Sequence, residues 1–85
     1  LRREREDDLT PVVVTRVVLP HEQPRLYVVA CTEDREEWSY LRYWPDPAGS
    51  YHVSVDVDRV PADDGGPQRC YDNAMADVAV ASALH

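Results

Sequence analysis

His52, Ser54 and Asp56 are the three residue types of a nucleophile, its base and the group that orients the base, set two apart in one short stretch. Alternate residues of an extended strand share a face but stand roughly 6.5–7 Å apart. A working triad needs hydrogen-bond reach, about 2.6–3.2 Å. No oxyanion-hole motif accompanies them, so we expect a solvated polar face and no catalytic residues. Metal ligands can be drawn from His21, Cys31, His52, Cys70 and His85, but none shows the C-x-x-C or H-x-x-x-H spacing of a readable site. Asp56, Asp58, Asp63, Asp64 and Gly65 hint at calcium chemistry without the alternate acids and downstream Glu of an EF-hand loop. We therefore expect neither metal nor cofactor. Cys70 precedes a helical stretch, whose start lowers a thiol pKa, while Asp72 opposes that effect; a packed thiol is the expectation.

The aromatic residues carry more information. Trp38, Tyr40, Arg42 and Trp44 alternate along one face of an extended stretch, and Ser39, Leu41 and Tyr43 along the other. Aromatics and Arg are enriched at binding hot spots. Hairpin register decides which face is covered, because a one-residue slip exchanges the two. Pairing Trp44 with Tyr51 sets the Trp face with Val53 and Val55 in the core, which is the arrangement we expect. Pairing Tyr43 with Tyr51 turns it outward. Trp38, Tyr40, Arg42 and Trp44, with Val80 and Leu84 near the C-terminus, form the candidate partner-binding set.

The elements that must hold these residues follow from pattern. Residues 11–19 (PVVVTRVVL) are almost wholly β-branched, stiff at χ1 and suited to a pleated surface. Both faces of this strand are largely apolar, which predicts a place well inside the sheet. Pro20 to Pro24 make a turn; residues 25–32 and 38–44 give two further strands, joined by the charged stretch 32–37. Pro45 to Ser50 is a turn, and 51–60 alternates strictly, with Tyr51, Val53, Val55 and Val57 opposite His52, Ser54, Asp56 and Asp58. Residues 61–69 read as a loop. Residues 71–85 read as a helix capped by Asp72 or Asn73, with His85 at the negative end of the helix dipole. This helix is nearly apolar all round, with Met75, Val78, Ala79 and Ser82 on one stripe and Ala76, Val80, Ala83 and Leu84 on another. A helix without a polar face is usually covered on more than one side.

Tyr71-Asp72-Asn73-Ala74-Met75-Ala76 resembles the stretch before the last catalytic carboxylate of some insertion-sequence transposases of the retroviral-integrase fold, where a Glu stands at the place of Asp77. The match covers seven residues, and no function is carried over from it.

Together these patterns predict an α+β fold: a four-stranded antiparallel meander with a C-terminal helix packed on one face. Residues 1–10 are a charged lead-in, and 11–85 form a single domain. A chain of 85 residues has room for one core and no deep enclosed site. Its net charge of −7 argues against nucleic acid and anionic membrane surfaces as partners. The chain has no Lys, Ile or Phe, residues of AT-rich codons, so a small protein from a GC-rich bacterium is expected. No apolar run approaches a membrane span and no leader pattern opens the sequence, so a cytoplasmic location is expected, with Cys31 and Cys70 as separate thiols. The leading expectation is a non-enzymatic protein–protein interaction module: an accessory subunit, inhibitor or immunity-type protein, with a protein partner or a homo-oligomer. A small-ligand binder or minor enzyme using a sheet–helix groove lined by Tyr27, Tyr40, Trp44 or His52 is the alternative. An acidic mimic of nucleic acid is a third reading.

Overall fold

The computed structural model describes residues 8–84, so most of the charged lead-in and His85 lie outside the described residues. The chain runs as four strands and one long helix: β1 (Leu9–Val17), β2 (Arg25–Thr32), β3 (Glu37–Pro45), β4 (Tyr51–Pro61), a 3-10 turn (Ala62–Asp64) and α1 (Gly66–Ser82). The strands pair antiparallel in the order β1-β2-β3-β4, and α1 lies across one face, mainly over β2 and β3. The predicted α+β meander with its C-terminal helix is the observed architecture.

Short connections set the order. Between β2 and β3 the chain reverses at Thr32–Arg35, where the Arg35 N–H donates to the Thr32 carbonyl at 2.8 Å. Asp34 holds this turn by accepting from the Thr32 hydroxyl at 2.6 Å and from the Glu36 N–H at 3.0 Å. These bonds favour the charged carboxylate and hold Asp34 below the usual Asp range. Between β3 and β4, Asp46 plays the same part, accepting from the Ala48 and Ser50 N–H groups.

β4 departs from the strict alternation its sequence displays. Leu41 pairs with Val55 but Tyr40 pairs with Val57, which leaves Asp56 as an extra residue; Trp38 then pairs with Val60, a second bulge. At the second bulge Arg59 takes a left-handed φ of 56°, and its N–H, lost to the ladder, donates to the buried Ser39 hydroxyl at 3.1 Å. A bulge shifts the phase of a strand. Val57 and Val60 consequently face the helix, whereas Val53 and Val55 face away, so the predicted single valine face is divided between the two sides.

Three further expectations are corrected. The hairpin register pairs Pro45 with Tyr51, Trp44 with His52 and Tyr43 with Val53, so neither of the registers weighed above is adopted. Of the Trp face, Trp38 and Tyr40 are buried under α1, without Val53 and Val55, whereas Arg42 is half-buried and Trp44 exposed. β1 is an edge strand, with interior position going to β2; the apolar residues on both faces of β1 reflect one face under α1 and another that is simply exposed and apolar. The helix begins at Gly66, within the stretch read as a loop. Gly65 turns the chain with φ 77°, and Pro67 sits in the first helical turn, where no N–H is required. Gly66 is packed against the end of β4, where a Cβ would stand 2.6 Å from the Val60 carbonyl oxygen. No larger residue fits that approach without moving backbone.

Candidate interaction surface

The two faces of the sheet differ in kind. On the covered face, Val17, Tyr27, Val29, Cys31, Trp38 and Tyr40 pack beneath Cys70, Ala74 and Ala81 of α1. Small residues on the helix let it approach the large rings of the sheet. The Trp38 indole N–H donates to the Arg35 carbonyl at 3.1 Å, so the ring is buried with its polar handle satisfied. Tyr40 is 0% exposed, and its hydroxyl donates to Asp77 of α1 at 2.7 Å. Burial chiefly, then this bond and the Asp77 charge, pushes the Tyr40 phenol well above its ordinary pKa. Arg42 spans the same seam, 3.3 Å from Asp56 and 3.5 Å from Asp77, and Asn73 donates to Asp56 at 3.3 Å. These contacts close the helix–sheet seam where a ligand groove was the alternative expectation. Tyr27 and Tyr40 are core residues there, not lining residues.

Beyond the helix, Trp44 lies at the sheet end with the Arg25 guanidinium 4.7 Å from its ring centre and that of Arg42 at 5.7 Å. Both distances are within cation–π range. Val80 on α1 and Leu84 in the turn that follows it are 66% and 62% exposed. The six candidate partner-binding residues are therefore dispersed: Trp38 and Tyr40 inside, Arg42 in the seam, Trp44 at the sheet end, Val80 and Leu84 on the outer side of the helix.

The chemistry-bearing residues are similarly accounted for. Asp56 sits on a bulge and pairs with Arg42, while His52 lies exposed opposite Trp44. Cys31 and Cys70 are buried and unpaired, and burial pushes the Cys70 thiol up to about 11. Asp77, the residue aligned with the transposase-like stretch, is engaged by Tyr40 and Arg42. Among the described residues no cluster of three or more His, Cys, Asp or Glu is arranged to hold a metal ion.

The helix-free face carries the surface that sequence reasoning missed. The partners Val14–Val28, Val28–Leu41 and Leu41–Val55 line up as one apolar row across all four strands. The row above it, toward the 18–24 and 46–50 connections, is Arg16, Leu26, Tyr43 and Val53. The row below it includes Pro11, Ala30 and Ser39, which are smaller. In the centre Val28, Ala30 and Leu41 are buried, while Val14, Val53 and Val55 stand out on the same face, Val14 at 56% and Val55 at 47% exposed. The signal for this surface was present in the alternating valines of 51–55, which the phase shift at Asp56 assigned to the unexpected side.

At the lower end of this face an open depression of about 900 Å³ is lined by Asp8, Thr32, Asp34, Glu37, Arg59 and Pro61 among others. Arg59 bonds to Asp8 at 2.6 Å and Glu37 at 3.3 Å, and Asp8 and Glu37 hold its guanidinium pKa above the ordinary value. Among the described residues no helix is long and apolar enough to cross a membrane. Comparison with protein-family models, with curated proteins and with solved structures gives no match to this chain.

Proposed function

We propose that this chain is a protein–protein interaction module that works by presenting the helix-free face of its sheet. The observation that carries the reading is the set of exposed valines Val14, Val53 and Val55 beside an apolar centre on the face that α1 does not cover. Exposed apolar patches mark interaction sites, and here the half-buried Leu26 and Tyr43 lie between the valines of the two edge strands. An enzymatic role finds less support, because Asp56 and Asp77 are engaged with Arg42 and the Cys70 thiol is held protonated. The unpaired thiols fit a cytoplasmic setting.

The test is photo-crosslinking in the cell of origin, with a photoreactive residue placed at Val55 and, as a control, at exposed Asp72 on the helix. A discrete protein adduct from position 55, absent from position 72, is the expected result. No adduct from position 55 rejects the reading.

A further inference from the structure

We infer that Asp8 and Arg59 form a releasable strap across the lower end of the helix-free face, and that this strap sets how much of the face is open to a partner. The inference rests on the reading just proposed and names a device that regulates its surface.

The strap follows from topology. Asp8 leads into β1 and Arg59 lies in β4, the two opposite edges of the sheet, yet their side chains meet at 2.6 Å. The edge strands of a four-stranded sheet stand about 14 Å apart, three spacings of about 4.8 Å. Their ion pair therefore lies over β2 and β3. It does not pass around the end of the sheet, because the β2–β3 connection continues beyond this level through Glu33 and Glu36. Arg59 is also held by Glu37 at 3.3 Å, and its N–H donates to the Ser39 hydroxyl. Glu37 and Ser39 alternate with Trp38 and Tyr40, which face α1, so the guanidinium crosses the opposite side.

Burial shows what the strap does. Ala30 and Ser39 are paired neighbours on β2 and β3, central on the side without a helix. Side chains so short do not shield themselves, yet these two are 1% and 0% exposed. Leu9, the residue after Asp8, packs against the cluster that contains Ala30, and Arg59 lies at Ser39. Leu9 and the strap thus cap the lower row, while Val14, Val53 and Val55 stay exposed above it.

The fastening is weak. The side chains of Asp8 and Glu37 are 62% and 48% exposed, and exposed ion pairs contribute little and are screened by salt. The register shift between Pro11 and Val13 separates the first residues of β1 from the rest, and Pro11 brings no N–H to the ladder. A short segment joined through a bulge opens locally while residues 13–17 stay paired. The open depression bounded by Asp8, Leu9, Thr10 and Arg59 gives it room. Release uncovers Ala30 and Ser39 and extends the accessible face downward by one row.

Thiol labelling of the purified chain tests the strap. An Ala30→Cys variant is alkylated with iodoacetamide and read by peptide mass spectrometry, with native Cys70, buried under α1, as internal reference. The thiol at position 30 should label slowly at low salt and about two- to fivefold faster at high salt. Arg59→Gln and Asp8→Asn should each raise the low-salt rate by about two- to fivefold, remove the salt dependence and leave Cys70 slow. Arg59→Lys, which keeps the charge, should stay close to the parent. In chains without the added thiol, hydrogen exchange at Leu9 and Thr10 should quicken in the same variants, and exchange at residues 13–17 should not. Asp8→Asn decides alone if Arg59→Gln fails to fold. Rates unchanged in Asp8→Asn, or a rise shared by Cys70, which reports unfolding, overturn the inference. No partner takes part in this measurement. A fixed strap therefore leaves the interaction reading intact, and a failure to crosslink from position 55 leaves the strap intact.

Discussion

The same four strands support two faces that solve burial differently. Beneath α1, the rings of Tyr27, Trp38 and Tyr40 are enclosed by small helix residues, and each polar atom brought along in Trp38 and Tyr40 has a partner. On the other side, Val28, Ala30 and Leu41 are buried with Leu9, Leu26 and Tyr43 packed against them, and Val14, Val53 and Val55 remain exposed. The first face is finished within one chain and fixes the fold. The second is apolar enough to bind but not covered, so its energetics depend on what meets it. Apolar content alone does not distinguish the two faces; the presence of a covering helix does.

The largest test of this contrast is Tyr40→Ala. It opens a cavity in the covered face and removes one of the two partners of Asp77, and should cost about 3–5 kcal/mol in urea unfolding, independent of protein concentration. Leu41→Ala, its neighbour on the other face, should cost about 2–3 kcal/mol at low concentration. A loss as large as that of Tyr40→Ala would erase the distinction between the faces. The smallest effect, about 1 kcal/mol, is expected of Tyr40→Phe, which removes only the bond to Asp77. It also carries a pH signature. Because the folded state raises the Tyr40 pKa above 10.0, it holds the proton longer than the unfolded chain does. Stability is therefore full below pH 10 and declines as pH rises past it. Tyr40→Phe should flatten that decline in urea melts between pH 8 and 11, and an unchanged slope would show that other groups set it.

Much of the architecture was legible because propensity and turn chemistry agreed. Residues 25–32 and 51–60 are β-branched or alternating, and prolines with Gly49 mark the turns between strands. The meander followed from the short connections. What escaped was phase. Nothing in YHVSVDVDRV announces that Asp56 is an extra residue, because the bulges meet distant partners, Arg59 bonding to Ser39 and Asp56 to Arg42 and Asn73. The helix start was misplaced for a related reason: Gly65, Gly66 and Pro67 read as loop formers, yet a close approach to Val60 and a first turn that needs no N–H make them helix formers here. The candidate surface was legible only in part. The surplus apolar residues were evident from composition, but assigning them to Trp38 and Tyr40 rather than to Val14 and Val55 required the register.

The bulge at Asp56 makes β4 two segments in series that answer to different constraints. Val57 and Val60 pack under the helix, so a change of size there has to be met by α1. Val53 and Val55 face away from it and stay exposed. One strand thereby carries two sets of valines under different packing constraints, and a substitution in its first half can leave the contacts of the second half intact.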